Sequence, residues 1–141
     1  MGYSSPPEVV AGFNRAWAVG DIDAAMACVA DDGVFRLRLP NDMTAQGRAA
    51  IAAALQGARE DFEPILYRPF SLVTAGDIVR FQVEFMYRHR ACGEVLSGRL
   101  RMVMRVEDGA IVRADEFHDR AKLQAFLRLA GDLLPPGYRR Q

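Results

Sequence analysis

Two long stretches in which apolar and polar residues alternate constrain this chain to an antiparallel sheet. The first runs from Ile78 to Arg88 and the second ends at Val106. Alternation with a period of two gives a strand one apolar and one polar face. A turn at residues 91–93 joins the two stretches, and Asp108-Gly109 is a strong hairpin turn into a third strand. The apolar face is expected to carry Phe81, Val83, Phe85 and Tyr87 on the first strand and Leu100, Met102, Met104 and Val106 on the second.

Helical patterns come first in the chain. Ser5-Pro6-Pro7-Glu8 has the form of a capping box with proline in the first turn, and apolar residues then recur at helical spacing until Gly20. Asp21 can cap a second helix, whose apolar stripe runs from Ile22 to Val29. We expect Asp31-Asp32-Gly33 to end that helix.

A strand, a third helix and an irregular strand are predicted next. Residues 34–39 alternate, and Phe35 and Leu37 lie on the same side. A helix after Gly47 carries a stripe of small and apolar residues suited to close packing. Residues 65–73 contain Pro69 and predict an edge or bulged strand, because proline cannot donate to a central ladder. A last helix, with Leu123 on its apolar side, follows the third strand of the antiparallel run.

This order of elements predicts an α+β fold in a single domain over residues 1–141, with residues 135–141 as a C-terminal tail. The helices are expected to cover one face of a curved antiparallel sheet. Curvature leaves a gap between the sheet and the helices where a small hydrophobic molecule can bind. The predicted walls of that gap are Phe13, Trp17, Phe35, Leu37, Phe81, Val83, Phe85, Tyr87, Leu100, Met102 and Met104.

Composition excludes several classes of partner. Eighteen basic residues balance eighteen acidic ones, so no overall field attracts nucleic acid or a membrane surface. The N-terminus lacks the pattern of a signal peptide, and no segment has the length of a spanning helix. Cys28, in a helical stretch, and Cys92, in a turn, form neither a disulfide framework nor a metal-binding pair. A cytoplasmic protein is the expectation.

The third strand of the antiparallel run carries the candidate chemistry. Its period places Glu116 and His118 on the same face as Ala114, opposite an apolar wall. Such a wall disfavours a charged carboxylate and suits Glu116 to general acid/base work, with His118 as its partner. The alternative is that Glu116 is structural or that the strand faces the other way. We expect no metal, since neighbouring residues on a strand face opposite sides. His89, in a basic turn, is expected at the surface.

The chain resembles the nuclear transport factor 2-like superfamily, a cone-shaped α+β fold that includes ketosteroid isomerases, limonene epoxide hydrolases and SnoaL-like polyketide cyclases. The resemblance covers almost the whole chain. It rests on Phe-Asn-Arg-Ala-Trp-Ala-Val-Gly-Asp-Ile-Asp-Ala from residue 13, Ala-Asp-Asp-Gly-Val-Phe from residue 30, Gly-Arg-Ala-Ala-Ile from residue 47 and the segment Glu-Asp-Gly-Ala-Ile-Val through residue 119. The resemblance implies a fold rather than one reaction, because this scaffold carries unrelated activities.

Two mechanisms of that superfamily do not transfer to this chain. At the positions that resemble the tyrosine and the two aspartates of ketosteroid isomerases, it carries Phe13, Leu37 and Met102. Of the Asp-Arg-Asp set of the epoxide hydrolases, only the last position keeps a carboxylate, that of Glu116. The lone acid of the polyketide cyclases, on their last strand, resembles Glu116 better.

The sequence therefore predicts an enzyme without a cofactor, of isomerase, cyclase or dehydratase type. It would act on a hydrophobic, cyclic substrate, with Glu116 and His118 as the catalytic pair. The alternative is a non-catalytic, dimeric ligand-binding module of the same fold. Trp17 and Tyr87 are amphipathic and can orient a ligand in an apolar site. The resemblance also implies a homodimer through the outer face of the sheet, where arginine and glutamate side chains alternate.

Overall fold

The computed structural model describes residues 4–38, 43–130 and 139–140. Side chains are described for these ranges except at residues 38, 126–130 and 139–140. The elements in chain order are α1 (Pro6–Val19), α2 (Ile22–Met26), β1 (Val29–Arg38), β2 (Met43–Gln46), α3 (Arg48–Asp61), β3 (Phe62–Ala75), β4 (Ile78–His89), β5 (Val95–Glu107), β6 (Ala110–Phe117), α4 (Arg120–Ala130) and β7 (Arg139–Arg140).

The described strands form one curved sheet in the order β3-β4-β5-β6-β1-β2-β7. Helix α1 packs against β3 to β6, and α3 packs against β1 to β3. This arrangement confirms the predicted α+β fold with helices on one face of the sheet. The expectation that all strands are antiparallel is wrong at one pair, because β1 and β6 run parallel. A connection through several elements separates these two strands in the sequence, as parallel pairing requires.

Helix α1 begins and ends where the sequence predicts. The backbone N–H of Ser5 donates to the Glu8 carboxylate at 3.0 Å, and Gly20 ends the helix with a positive φ of 77°. A Cβ on Gly20 would lie 2.3 Å from the guanidinium of Arg59. Glycine at this position therefore lets the Arg59 side chain of α3 pass over the end of α1.

The predicted extent of the second helix is wrong. Helix α2 ends at Met26, and Val29 already belongs to β1, opposite Ile111 of β6. The guanidinium of Arg48 accounts for the early end, since it donates to the carbonyl oxygens of Met26 at 3.0 Å and Val29 at 2.6 Å. The stretch Asp31-Asp32-Gly33 consequently lies within the strand. The short strand β2, which pairs with β1, was not predicted either.

Strand β3 confirms the prediction of a bulged edge strand. It lies at the end of the sheet, and its pairing with β4 shifts register twice, between Pro64 and Leu66 and between Phe70 and Val73. Ser71 has a positive φ of 56° at the second irregularity. The bulges and Pro69 are tolerated because one side of β3 has no partner strand among the described residues.

The predicted faces of β4 and β5 are confirmed. Phe81 lies opposite Met102 and is buried, whereas Arg80 and Arg101 on the other face are exposed. The hairpin at Asp108-Gly109 has positive φ at both residues, 51° and 75°, as its sequence predicts. The two faces therefore separate an apolar interior from a charged exterior.

The surface position expected for His89 is wrong. It is buried at the end of β4, 2% exposed, and packs edge-on against Phe62 with centroids 5.2 Å apart. Cys28, expected in a helix, lies in the turn after α2. No described helix is both long enough and apolar enough to cross a membrane. Of the predicted tail, only residues 139–140 are described, and they pair with β2 as β7.

Candidate active site

A cavity of about 170 Å³ lies between the inner face of the sheet and helices α1 and α3. Its lining is mainly aromatic and aliphatic, with a few polar side chains. This combination is typical of small-molecule sites, in which apolar walls provide affinity and a few polar groups provide orientation. A dry engineered cavity of about 150 Å³ holds benzene, so this one matches a ligand of one or two rings.

The structure brings most of the sequence-predicted site residues to this cavity. Glu116 and His118 both line it. The predicted wall residues that line it are Phe13, Trp17, Phe35, Leu37, Tyr87, Leu100 and Met102.

Four predicted wall residues do not line the cavity, which corrects their assignment to its walls. Phe81, Val83 and Met104 lie on the correct face but pack in the closed core, each no more than 2% exposed. Phe85 is buried behind His118 and lines a neighbouring cleft instead. Phe81 and Val83 are in register with Met102 and Leu100, which do line the cavity, so the face and register of a residue do not by themselves determine whether its side chain reaches the cavity.

The contribution of α3 and its surroundings to the cavity wall was not predicted from the sequence. The small-residue stripe of α3 predicts close packing, and the structure places two of its alanines, Ala54 and Ala58, at the cavity wall. Their short side chains leave the space that a ligand can fill. Other lining residues absent from the predicted walls are Arg36, Met43, Leu55, Arg59, Phe62, Tyr67, Leu96, Ala114 and Leu123.

Glu116 and His118 form a hydrogen-bonded pair at this cavity. The Nε2 atom of His118 lies 2.6 Å from Oε2 of Glu116. Glu116 stands on β6 between Met102 of β5 and Leu37 of β1, so its carboxylate extends from the inner face of the sheet. The His118 side chain is 12% exposed and that of Glu116 is 30% exposed. The pair is therefore accessible to a ligand yet largely shielded from water.

The position of His118 depends on the end of β6 and the start of α4. Its ring packs edge-on against Phe85 with centroids 5.6 Å apart. The next residue, Asp119, caps α4 by accepting a hydrogen bond from the backbone N–H of Lys122 at 3.0 Å. With Nε2 donating to Glu116, the Nδ1 atom of a neutral imidazole is an acceptor. Such a pair can hold a proton, release it and take it back.

The acidic residue next to Glu116 belongs to the other side of the sheet. The carboxylate of Asp115 accepts hydrogen bonds from Arg113 at 2.8 Å and 3.3 Å, and this contact raises the pKa of Arg113. Strand alternation thus separates Asp115 from the pair at Glu116 and His118. Among the residues that the structure describes, no group of three His, Cys, Asp or Glu side chains could hold a metal ion.

Two tyrosines from different strands bring hydroxyl groups to the cavity. The indole N–H of Trp17 donates to the Tyr87 hydroxyl oxygen at 3.1 Å, and the Tyr67 hydroxyl donates to Oδ1 of Asn14 at 3.0 Å. Burial raises the pKa of both tyrosines, and the negative charge of Glu116 raises it further. Both phenols are consequently protonated at neutral pH, close to the carboxylate.

Arg59 of α3 brings a positive charge to the cavity. Its guanidinium carbon lies 5.7 Å from the centroid of the Trp17 ring, and Nη1 donates to the Trp17 carbonyl oxygen at 3.3 Å. These contacts hold the Trp17 ring in place over the cavity. The same charge acts on Tyr87, where it lowers the pKa and partly opposes the effect of burial.

The structure is similar to solved structures of the nuclear transport factor 2-like fold. One is an NTF2-like protein from Burkholderia thailandensis, with 23% identity, a TM-score of 0.77 and coverage of 86% of this chain and 96% of that one. Another, from Catenulispora acidiphila, has a ketosteroid isomerase-like fold and was solved in complex with trimethylamine; the identity is 18%, the TM-score 0.77 and the coverage 94% and 100%. At these identities the similarity establishes the fold alone.

A candidate polyketide cyclase from Xanthomonas campestris is similar as well, with 22% identity, a TM-score of 0.71 and coverage of 89% of this chain and 96% of that one. A search of curated proteins finds no match to this sequence. The sequence itself matches a family model, that of the SnoaL-like domain, over residues 10–114. The chain therefore belongs to the SnoaL-like domain family, within the nuclear transport factor 2-like superfamily.

Proposed function

We propose that this protein is a small-molecule enzyme that uses Glu116 and His118 for general acid/base catalysis on a hydrophobic, cyclic substrate. The observation that carries the proposal is the 2.6 Å contact between the two side chains at an otherwise mainly apolar cavity. Titratable groups that converge in an apolar pocket are typical of sites that move protons. The reaction would be of isomerase, cyclase or dehydratase type and would need no cofactor.

The proposed first step is removal of a proton from the carbon next to a carbonyl group. The Glu116 carboxylate takes the proton, and the electron pair of the C–H bond moves into a C–C double bond as the carbonyl oxygen becomes an enolate oxygen. His118 keeps the carboxylate oriented through Nε2. Return of the proton to another carbon completes an isomerisation. Attack of the enolate carbon on a second carbonyl, whose oxygen takes the proton held by Glu116, completes a cyclisation, and departure of a β-hydroxyl with that proton, as water, completes a dehydration.

The apolar walls support this assignment for an electrostatic reason. In a medium of low dielectric constant, interactions between a charged group and its neighbours are stronger than in water. Phe35 and Met102 line the cavity together with Glu116.

The non-catalytic binding module makes a different prediction for the same cavity. Ligand binding would then need the walls but not the carboxylate. The test is a thermal-shift screen with apolar carbonyl compounds of one and two rings, followed by turnover assays on the compounds that stabilise the protein. Glu116→Gln should retain ligand-induced stabilisation and lose turnover by about 10² to 10⁴-fold. Full turnover in that variant would reject the enzyme and favour the module.

A matched variant controls for loss of a carboxylate elsewhere. Glu107 is exposed at the end of β5 and does not line the cavity. Glu107→Gln should therefore leave turnover and ligand binding unchanged. An equal loss of turnover in both variants would show that net charge, rather than the site, accounts for the effect.

We also propose that two copies of this chain associate through the outer face of the sheet. The Arg101 guanidinium carbon lies 4.6 Å from the Phe117 ring centroid, and that of Arg99 lies 5.4 Å from the Phe70 ring centroid. These arginines lie over aromatic rings, and half-buried Val103 stands on the same face. An outer face with such partly apolar positions suits a two-fold related copy. A cytoplasmic location and the lack of a nucleic-acid partner remain predictions from composition.

A further inference from the structure

The hydrogen bond between Trp17 and Tyr87 determines which part of the Tyr87 hydroxyl group remains available to a ligand. Indole nitrogen can only donate a hydrogen bond, so the oxygen of Tyr87 must accept at the 3.1 Å contact. The hydroxyl hydrogen of Tyr87 then has to find another acceptor. Among the described residues, none accepts it, and the side chain lines the cavity.

Tyr67 has the opposite arrangement. Its hydroxyl hydrogen is used in the 3.0 Å bond to Oδ1 of Asn14, a buried residue with 6% exposure. Tyr67 therefore offers the cavity only oxygen lone pairs. The two phenols line the same cavity but differ in function, because Tyr87 can donate to a ligand and Tyr67 can only accept from one.

We propose that the Tyr87 hydroxyl donates a hydrogen bond to the carbonyl oxygen of the substrate and to the enolate oxygen that forms from it, so that the substrate is an enolisable, apolar ketone or aldehyde. This inference rests on the proposed function, since the enolate forms when Glu116 removes the neighbouring proton. Glu116 and Tyr87 both line the cavity. The proton donor and the base therefore border the same ligand volume. Burial keeps the phenol protonated, as a donor must be.

The donor would act on charge that develops during the reaction. A hydrogen bond to an enolate oxygen is stronger than one to a ketone oxygen, because the acceptor is then charged. Trp17 contributes through Tyr87 as a positioning residue, since its N–H holds the phenol oxygen and turns the O–H bond away from the indole.

The test uses acetophenone with a ¹³C-labelled carbonyl and α-methylstyrene, which has the same shape but no oxygen. In the wild-type protein, the bound carbonyl stretch should lie at lower wavenumber than in Tyr87→Phe. The preference for acetophenone over α-methylstyrene should fall about 3- to 10-fold in Tyr87→Phe, the effect of one neutral hydrogen bond. Tyr67→Phe is the matched control and should keep both the stretch and the preference.

Tyr87→Phe leaves the indole N–H of Trp17 without its acceptor, which can destabilise the protein. The comparison is therefore repeated in a Trp17→Phe background, which has no such orphaned donor. Trp17→Phe should retain part of the lowered stretch, because the phenol keeps its hydrogen but loses the bond that positions it, and Trp17→Phe/Tyr87→Phe should lose the rest. An unchanged stretch on loss of Tyr87 in both backgrounds, or no binding of acetophenone up to its solubility limit, would overturn the proposal.

The same samples separate this inference from the proposed function. Exchange of the acetophenone methyl protons with D₂O reports the base and is expected to depend on Glu116. One outcome is that the carbonyl stretch changes on loss of Tyr87 while proton exchange is the same in Glu116→Gln as in the wild type. That result would support Tyr87 as the hydrogen-bond donor and reject Glu116 as the acid/base. Exchange that depends on Glu116, with a stretch that does not depend on Tyr87, would reject the donor alone.

Discussion

The imidazole of His118 packs edge-on against the ring of Phe85, with centroids 5.6 Å apart and an interplanar angle of 79°. Phe85 is 3% exposed and lies outside the lining of the main cavity. It therefore supports the imidazole from behind and limits the directions in which Nε2 can point. The short contact between His118 and Glu116 depends on this support as much as on the two residues themselves.

This contact predicts that Phe85 affects catalysis without touching a ligand in the main cavity. Phe85→Leu should reduce turnover by up to about 100-fold, because a displaced imidazole no longer holds the carboxylate. Phe81→Leu is the matched control, since Phe81 is equally buried on the same strand. Both variants should lose about 1–3 kcal/mol of unfolding free energy in urea titrations, and only the first should lose turnover. Equal turnover in the two variants would remove the role assigned to Phe85.

The two cavity tyrosines predict a loss of stability in alkaline solution. In the unfolded chain a tyrosine ionises near pH 10, whereas burial raises the pKa of Tyr67 and Tyr87 in the folded protein. Above pH 10 the unfolded state therefore binds fewer protons than the native state, and the unfolding free energy decreases as pH rises. Below pH 10 both states are protonated, and this contribution to stability is fully present.

The measurement is urea unfolding at a series of pH values from 9 to above 11. Each tyrosine can contribute a slope of up to about 1.4 kcal/mol per pH unit. In Tyr67→Phe, the unfolding free energy should fall less steeply with pH, because only one of the two buried tyrosines remains to contribute to the slope. A decline with the same slope in the variant would show that Tyr67 ionises in the folded protein as it does in the unfolded chain.

The small residues of α3 predict a simple way to close the cavity. Ala58 is half-buried at the cavity wall, whereas Ala49 is exposed on the same helix. Ala58→Leu should fill the space that a ligand needs and leave the fold intact. A ligand at 100 times its Kd stabilises the wild type by about 2.7 kcal/mol. That stabilisation should be lost in Ala58→Leu and kept in Ala49→Leu, as measured by thermal shift. Retained binding in Ala58→Leu would place the ligand elsewhere.

The proposed dimer predicts sensitivity to charge on the outer face of the sheet. Val103 lies in register with Arg80 on one side and Asp115 on the other. Val103→Arg should weaken association at least about 10-fold, since the larger, charged side chain would have to lose its hydration at the contact between the two copies. Val19→Arg, at a residue that is 75% exposed at the end of α1, should have no effect. Sedimentation velocity gives the result, and a monomeric wild type would contradict the dimer directly.

The alternation of apolar and polar residues predicts which face of a strand a side chain occupies better than it predicts whether that side chain reaches the cavity. Alternation on β4 placed Phe81 and Tyr87 on the same face, and both do lie there. It could not show that one lies in the closed core and the other at the cavity, because period-two alternation carries no information on where the helices close over the sheet. The end of α2 was missed for a related reason. Arg48 is distant in the sequence, and its guanidinium donates hydrogen bonds to the carbonyl oxygens of Met26 and Val29.

The candidate pair could be predicted from the sequence because its two residues are close together in the chain. Glu116 and His118 are two residues apart, and although β6 ends at Phe117, the chain continues far enough in the same direction for the two side chains to meet. The hydrogen bonds of Tyr67 to Asn14 and of Trp17 to Tyr87 join residues 53 and 70 positions apart. No local pattern indicates such pairs. Trp17 and Tyr87 were predicted as polar groups of the cavity, but their hydrogen bond and that of Tyr67 to Asn14 could be found only from the structure.

The most direct test of the central claim is the rate at which a bound ketone exchanges the protons next to its carbonyl for deuterium, followed by NMR in D₂O. With Glu116 as the base, we expect the wild type to catalyse this exchange and Glu116→Gln to be slower by about 10²-fold or more, with ligand affinity retained. Equal exchange rates in the two proteins, at equal occupancy of the cavity, would contradict the assignment of Glu116 as the catalytic base.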